Sequence, residues 1–183
     1  DATFNAATGA RVLFSGGALS LFTGSAFTGA GLFEITGSGF VLNTSVTVPN
    51  LALHGTFGGI SGAGNLTITQ SLDWNAGFMT GTGKTTLAAG TVSTMSGTTD
   101  KTLSRDLDLF GTLNINNSNT GIFAVNSGTL RVGTGGLLDV RFVDLRDADG
   151  GTPGNLVIDG ILRKSGINDS AAIGTGPLDL TLS

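Results

Sequence analysis

The chain has no cysteine, no tyrosine, and only one histidine (His54), one glutamate (Glu34) and one tryptophan (Trp74) among its 183 residues. Without cysteine there is neither a disulfide framework nor a thiolate metal site. Ser-His-Asp chemistry would have to use His54, which alternates with Leu51 and Leu53 and so belongs on an outward face, as a solvated residue at a turn. No catalytic residue is assigned. Proline occurs only at positions 49, 153 and 177, so no Pro-rich linker divides the chain. Charged residues make up 12% of the sequence, the net charge is −4, and Lys and Arg form no cluster. A nucleic-acid partner is not expected, because phosphate neutralisation needs concentrated positive charge. No run approaches the ~18 to 20 apolar residues of a membrane span. No basic n-region followed by an apolar h-region opens the chain, so any secretion signal has been removed or lies outside this sequence.

What is abundant is glycine, at 31 residues, in a chain that is 39% hydrophobic. The glycines head a short recurring phrase, a tight turn followed by strand residues with alternating apolar side chains. Thr28-Gly29-Ala30-Gly31-Leu32-Phe33-Glu34-Ile35 is one copy, Ser61-Gly62-Ala63-Gly64-Asn65-Leu66-Thr67-Ile68 a second, and Thr80-Gly81-Thr82-Gly83-Lys84-Thr85-Thr86-Leu87 a third. Looser echoes start at Gly133 and Gly174, and shorter ones at Gly111 and Gly128. Turn chemistry at the head and period-2 alternation behind it mark a strand-by-strand solenoid. The Gly-x-Gly copies begin at 29, 62, 81, 133 and 174. Their intervals only approximate multiples of a coil of roughly 20 residues. This drift excludes a strict hexapeptide repeat.

Helical periodicity is nearly absent. Even Asp139 to Asp149 begins by alternating, with Val140 and Phe142 on one side and Asp139 and Arg141 on the other. The predicted fold is all-β: a right-handed parallel β-helix of roughly nine irregular coils, a rod about 40 Å long at the ordinary strand spacing. Residues 1–183 are read as one solenoid domain, a segment or subunit of a longer assembly. Leu66, Ile68, Leu87, Leu103, Leu113, Ile115, Leu130, Val132 and Leu156 are expected to stack inward, with Thr, Ser, Asn and Asp outward. Asn and Gly are expected to supply the left-handed backbone at the corners. The competing architecture is an antiparallel sandwich, which also has short strands at 8–12-residue spacing.

Residues 65–115 and 154–176 carry a more specific likeness. Trp74-x-x-Gly77-x-Met79-x-Gly81-x-Gly83-x-Thr85-x-Leu87, then Gly90, then Lys101-x-Leu103-x-Arg105-x-Leu107 with Gly111-Thr112, resembles the repeat unit of large bacterial secreted β-solenoid surface proteins of the adhesin or autotransporter-passenger type. Gly160-Ile161-Leu162-Arg163-Lys164-Ser165-Gly166 is similar to another unit of those proteins. Asp144 to Gly154 departs from the pattern as an insertion. The resemblance implies an exported parallel β-helix at the bacterial cell surface, serving as stalk, fibre or adhesive segment. The implied partners are further solenoid coils or identical subunits stacked end to end, with surface glycans as a further class. It brings no catalytic motif.

Within the insertion, Asp144, Asp147 and Asp149 are candidate Ca²⁺ ligands, since hard oxygen donors suit that ion. With Arg141 and Arg146 they also supply the nominal parts of a polysaccharide-lyase site, the alternative function. Against both, position 145 is Leu where an EF-type loop needs its first ligand, no distal Glu follows, and the acids sit in one short run. A solvated loop with internal Asp–Arg pairs is the plainer reading, and no obligatory cofactor is expected. Thr80 to Thr86 mimics a phosphate-binding loop, but a single residue separates its glycines and strand residues follow. Trp74, Phe78 and Met79 suggest either a sugar-stacking platform or core packing. Outward threonines such as Thr67 and Thr69 raise an ice-binding ladder. That ladder requires the same pair in successive coils, whereas Ser45/Thr47, Thr67/Thr69, Asn114/Asn116 and Asp179/Thr181 differ.

Overall fold

The computed structural model describes residues 2–37, 39–116, 122–141, 143–166, 172–173 and 179–182. The phrase at Gly174 lies outside the described residues, as does Phe142 with its expected placement beside Val140. The described residues form strands and no helix. The chain visits three faces, here A, B and C, in fixed rotation. Thr3–Asn5 lies on face A, Arg11–Phe14 on face B and Leu19–Leu21 on face C; Ala26–Thr28, Leu32–Ile35 and Gly39–Leu42 repeat the circuit directly alongside. In the middle coils the strands run straight through a corner. Val46–Leu53 and Leu66–Trp74 each serve faces A and B, while Gly77–Leu87 and Lys101–Leu109 each serve faces C and A.

Every ladder is parallel, and the one antiparallel contact among the described residues is an isolated bridge between Asn126 and Pro153. That pattern excludes the antiparallel sandwich, whose hairpins require the opposite strand sense. Face B alone runs from Arg11–Phe14 to Ile161–Lys164 as one continuous ladder. The stack is a β-solenoid of about seven turns, close to the roughly nine expected. At ~4.8 Å per coil it stands roughly 34 Å tall. Coil length varies from 18 residues, Phe33 to Leu51, to 28 residues, Asp144 to Ala172. Asp144–Arg146 is itself a face C strand, so the insertion proper begins after Arg146 rather than at Asp144.

Two-residue periodicity sends alternate side chains inward, and the parallel register stacks like on like. Val48, Ile68, Leu87, Leu109, Val132 and Ile158 form one such file along face A. All nine residues expected in inward ladders, Leu66 through Leu156, are 0% exposed. The first coils fill their cross-section with rings: Phe4 stacks on Phe27 at 5.1 Å, and Phe14 meets Phe40 edge-on at 5.0 Å. Trp74 is fully buried and meets Phe123 edge-on at 5.5 Å, which makes it a core residue.

The corners explain the glycine phrase and its uneven intervals. At the corner from face C to face A, Gly81 and Gly83 stack on Gly62 and Gly64. A Cβ on Gly81 would come within 2.4 Å of the Gly62 carbonyl oxygen, and one on Gly83 within 2.1 Å of that of Gly64. Such contacts leave no room for any side chain. The other Gly-x-Gly phrases, at Gly29 and Gly133, sit between face A and face B strands. Only the step from Gly62 to Gly81 therefore measures one coil; the intervals on either side of it run between different corners. Asparagine does not take the left-handed role: Ser127, at φ 53°, is the one non-glycine with positive φ among the described residues.

Leu113 is 0% exposed in the middle of this stack. Leu113→Asp should abolish the cooperative thermal transition, because a buried unpaired carboxylate has no compensating partner. Leu113→Ala should cost about 2–5 kcal/mol. Outward Thr112→Ser should stay within about 0.5 kcal/mol. Circular dichroism melts of the three variants check the register directly.

Candidate functional site

Parallel stacking forces outward side chains of neighbouring coils to within interaction distance of one another. On face B the register aligns Glu34, Ala52 and Asp73 on three successive coils. Ala52 is too short to bridge its neighbours. His54, two residues on and just past the end of that strand, bridges them instead. Its Nδ1 lies 2.9 Å from Glu34 Oε1 and its Nε2 lies 2.9 Å from Asp73 Oδ2. Arg11 donates to the other oxygen of Glu34 at 2.7 Å. The result is a file of alternating sign, Arg11–Glu34–His54–Asp73, across four coils.

Both ring nitrogens of His54 can donate to carboxylates together only when the imidazole is protonated. Partial burial pulls the His54 pKa down, but the hydrogen bonds that its ring donates to Asp73 and Glu34 outweigh it and leave the pKa raised. The residue is outward, as its alternation indicates, yet it is clasped rather than simply solvated. With both nitrogens engaged, neither is left to take a proton from a serine hydroxyl. Similar files run elsewhere: Lys84 pairs with Asp108 at 2.8 Å, Arg131 with Asp159 at 2.5 Å, and Arg163 with Asp139 at 2.6 Å. The bond from Arg163 holds the Asp139 carboxyl below the usual range.

Two cations point the other way. Lys101, Leu103, Arg105, Leu107 and Leu109 share the inward face of one strand and all are buried. Arg105 Nη2 donates at 2.8 Å to the Gly64 carbonyl and Nη1 at 3.3 Å to that of Thr80, so one side chain braces the glycine corner across coils. Gly83 leaves the space for it: a Cβ there would lie 2.6 Å from Arg105 Nη2. Lys101 Nζ donates to the Thr99 carbonyl at 2.8 Å. Burial pushes the Lys101 amine down to about 8 and the Arg105 guanidinium down to about 10. Sequence reading missed both as core residues. The signal was present, since strict alternation with Leu103, Leu107 and Leu109 leaves them no outward position.

The candidate Ca²⁺ ligands do not converge. Asp144 is outward on face C. Asp147 Oδ1 accepts the Asp149 N–H at 3.1 Å, and Asp149 Oδ1 accepts the Gly151 N–H at 2.8 Å, each closing a local turn. No three His, Asp or Glu side chains gather into a metal-holding group among the described residues. Of the phosphate-loop mimic, Gly81 and Gly83 form the coil corner and Lys84 reaches outward to Asp108. Thr67 and Thr86 are register partners, but the next rung of that column is Asp108, so the threonine file ends there. Phe78 is half-buried on face C, whereas Met79 is fully buried. No family model matches the chain, and no curated protein or solved structure matches it.

The clasped histidine and the buried lysine make opposite contributions to stability with pH. Below pH 6.5 His54 is charged in the folded and the unfolded chain, and its ion pairs stabilise fully; that contribution is lost as pH climbs through the raised folded pKa. Between about 8 and 10.5 the unfolded chain binds a proton at Lys101 that the folded chain does not, so stability rises with pH there. The melting midpoint should therefore fall as pH climbs above 6.5 through the raised His54 pKa and recover in mild alkali. His54→Gln should flatten the fall. Lys101→Met should flatten the rise and stabilise the chain by roughly 1–3 kcal/mol at pH 7. A fall that persists unchanged in His54→Gln contradicts the clasp.

Proposed function

We propose that this chain is a non-catalytic structural or adhesive segment of a bacterial extracellular surface protein, working as part of a stalk or fibre. The observation that supports it best is the uninterrupted parallel stack, whose interior is filled rung by rung and many of whose outer charges pair between coils. A solenoid of this kind is a rigid spacer with an extended surface. The resemblance of the Trp74-to-Thr112 and Gly160-to-Gly166 phrases to secreted adhesins is what favours a surface location in this reading. Coil edges expose unpaired N–H and C=O groups, so the partners this reading calls for are further coils or identical subunits stacked end to end.

Electron microscopy of the native assembly, with antibody to this chain, tests the proposal. Labelled rods or fibres at the cell surface are the expected result; label confined to the cell interior would overturn it. The same reading leaves no work for Ca²⁺. Unfolding midpoints with and without chelator should superimpose, and acidic polysaccharides should yield no unsaturated-uronate absorbance. A clear drop with chelator would contradict this.

A further inference from the structure

Faces A and B carry the charged files. Although Asp100 is exposed at the corner that leads into Lys101–Leu109, the outward columns of face C carry none until its later coils. One outward column there reads Gly39, Gly59, Phe78, Thr102 and Ala124. The other contains Ser20, Val41 and Ser61, followed by Thr80 and Ser104. The first charged rung is Asp144–Arg146. In the middle of this neutral area the Phe78 ring lies in the notch left by Gly59, where a Cβ would come within 2.5 Å of Phe78 Cε2. Glycine at 59 thus lets the ring lie down along the sheet. At the adjoining corner, the tight turn closed by Gly58 N–H to Gly55 O at 2.9 Å holds Phe57 at its tip, 84% exposed. Nothing in the fold's own packing requires a phenylalanine there.

We propose that face C between Gly39 and Ser104 is a binding surface for a neutral polysaccharide chain, with Phe57 and Phe78 as stacking rings and the flanking Ser and Thr hydroxyls as hydrogen-bond partners. The inference deepens, and rests on, the reading of the chain as an adhesive segment. Sugar rings present polarised C–H groups to an aromatic face and hydroxyls at their edges, and this surface offers the complement of both. Contact of one flat aromatic ring with a ring-shaped ligand is sequence-tolerant and substantial, as in nucleobase stacking. With Lys101 and Arg105 buried and Asp100 exposed at its border, the area offers no outward cation, which disfavours acidic polymers, nucleic acid and anionic membranes. A second copy of the chain is disfavoured by composition: Val41, Phe57 and Phe78 are the large apolar groups in an area otherwise made of Gly, Ala, Ser and Thr, short of the apolar core that a stable homodimer buries.

The test is retention of the purified chain on microcrystalline cellulose and on chitin, with sedimentation of the unliganded chain alongside. Wild type should be retained on at least one matrix, and any end-to-end association it shows in sedimentation should be unaffected by changes on face C. Phe57→Ala, which removes only exposed surface, should weaken retention about tenfold, as loss of one stacking contact does. Thr80→Lys with Thr102→Lys should weaken it similarly, while Thr67→Lys on face A leaves it unchanged, all three variants keeping the wild-type melting transition. No retention of wild type on either matrix, or equal retention of the Phe57 and face C variants, overturns the proposal while leaving the stalk reading standing. Self-association that the face C lysines abolish would overturn it in favour of a second copy. Loss of surface rods by microscopy would instead remove the stalk reading itself.

Discussion

Parallel strands cannot be stacked more loosely than their hydrogen bonds allow, and the ~4.8 Å spacing of those ladders governs nearly everything else in this chain. At that spacing the backbones meet at the corners, so the residues there lose their side chains: Gly81 over Gly62 and Gly83 over Gly64. Inside, each apolar side chain sits directly over its equivalent one coil away, and Val48, Ile68 and Leu87 pack as one file. Outside, the same proximity makes like charges costly and opposite charges favourable, which gives Arg11–Glu34–His54–Asp73 its alternation. Exposed pairs of this type contribute little individually. Their effect is mainly on register, since a shifted coil would set like charges against each other.

Much of this order is legible in the amino-acid sequence because each coil is local: a glycine turn, then an alternating strand. The inward set from Leu66 to Leu156 follows from period alone. What does not follow is how coils are phased. The Gly-x-Gly phrase marks whichever corner is tight, and two different corners are tight in different coils, so its intervals mislead as a measure of coil length. Strands such as Gly77–Leu87 also run through a corner, hiding a face boundary that no turn residue announces.

The charged residues were harder for a different reason. Polarity suggests solvent, yet Lys101 and Arg105 obey the alternation of their strand and enter the core, where backbone carbonyls at Thr99, Gly64 and Thr80 receive them. His54 was placed on the correct side, but its partners lie 20 residues before it and 19 after it, one coil away in each direction. Without the phasing no sequence pattern joins them. The neutral face C was likewise hidden, because Ser, Thr and Gly are common throughout and only the stack collects the uncharged ones on one side, with Phe57 and Phe78 among them.

The chain's lack of cysteine permits a direct check of the phasing on which all of this depends. Thr67 and Thr86 are parallel register partners on adjacent coils, and Asp108 occupies the same column one coil further on. Adjacent rungs fall within the Cα separation that a disulfide tolerates, whereas rungs two coils apart, at roughly 9.6 Å, do not. Under mild oxidation the Thr67→Cys, Thr86→Cys double variant should form an intramolecular disulfide, and the Thr67→Cys, Asp108→Cys variant should keep two free thiols. Free thiols in the first, or an intramolecular bridge in the second, would contradict the three-faced parallel stack.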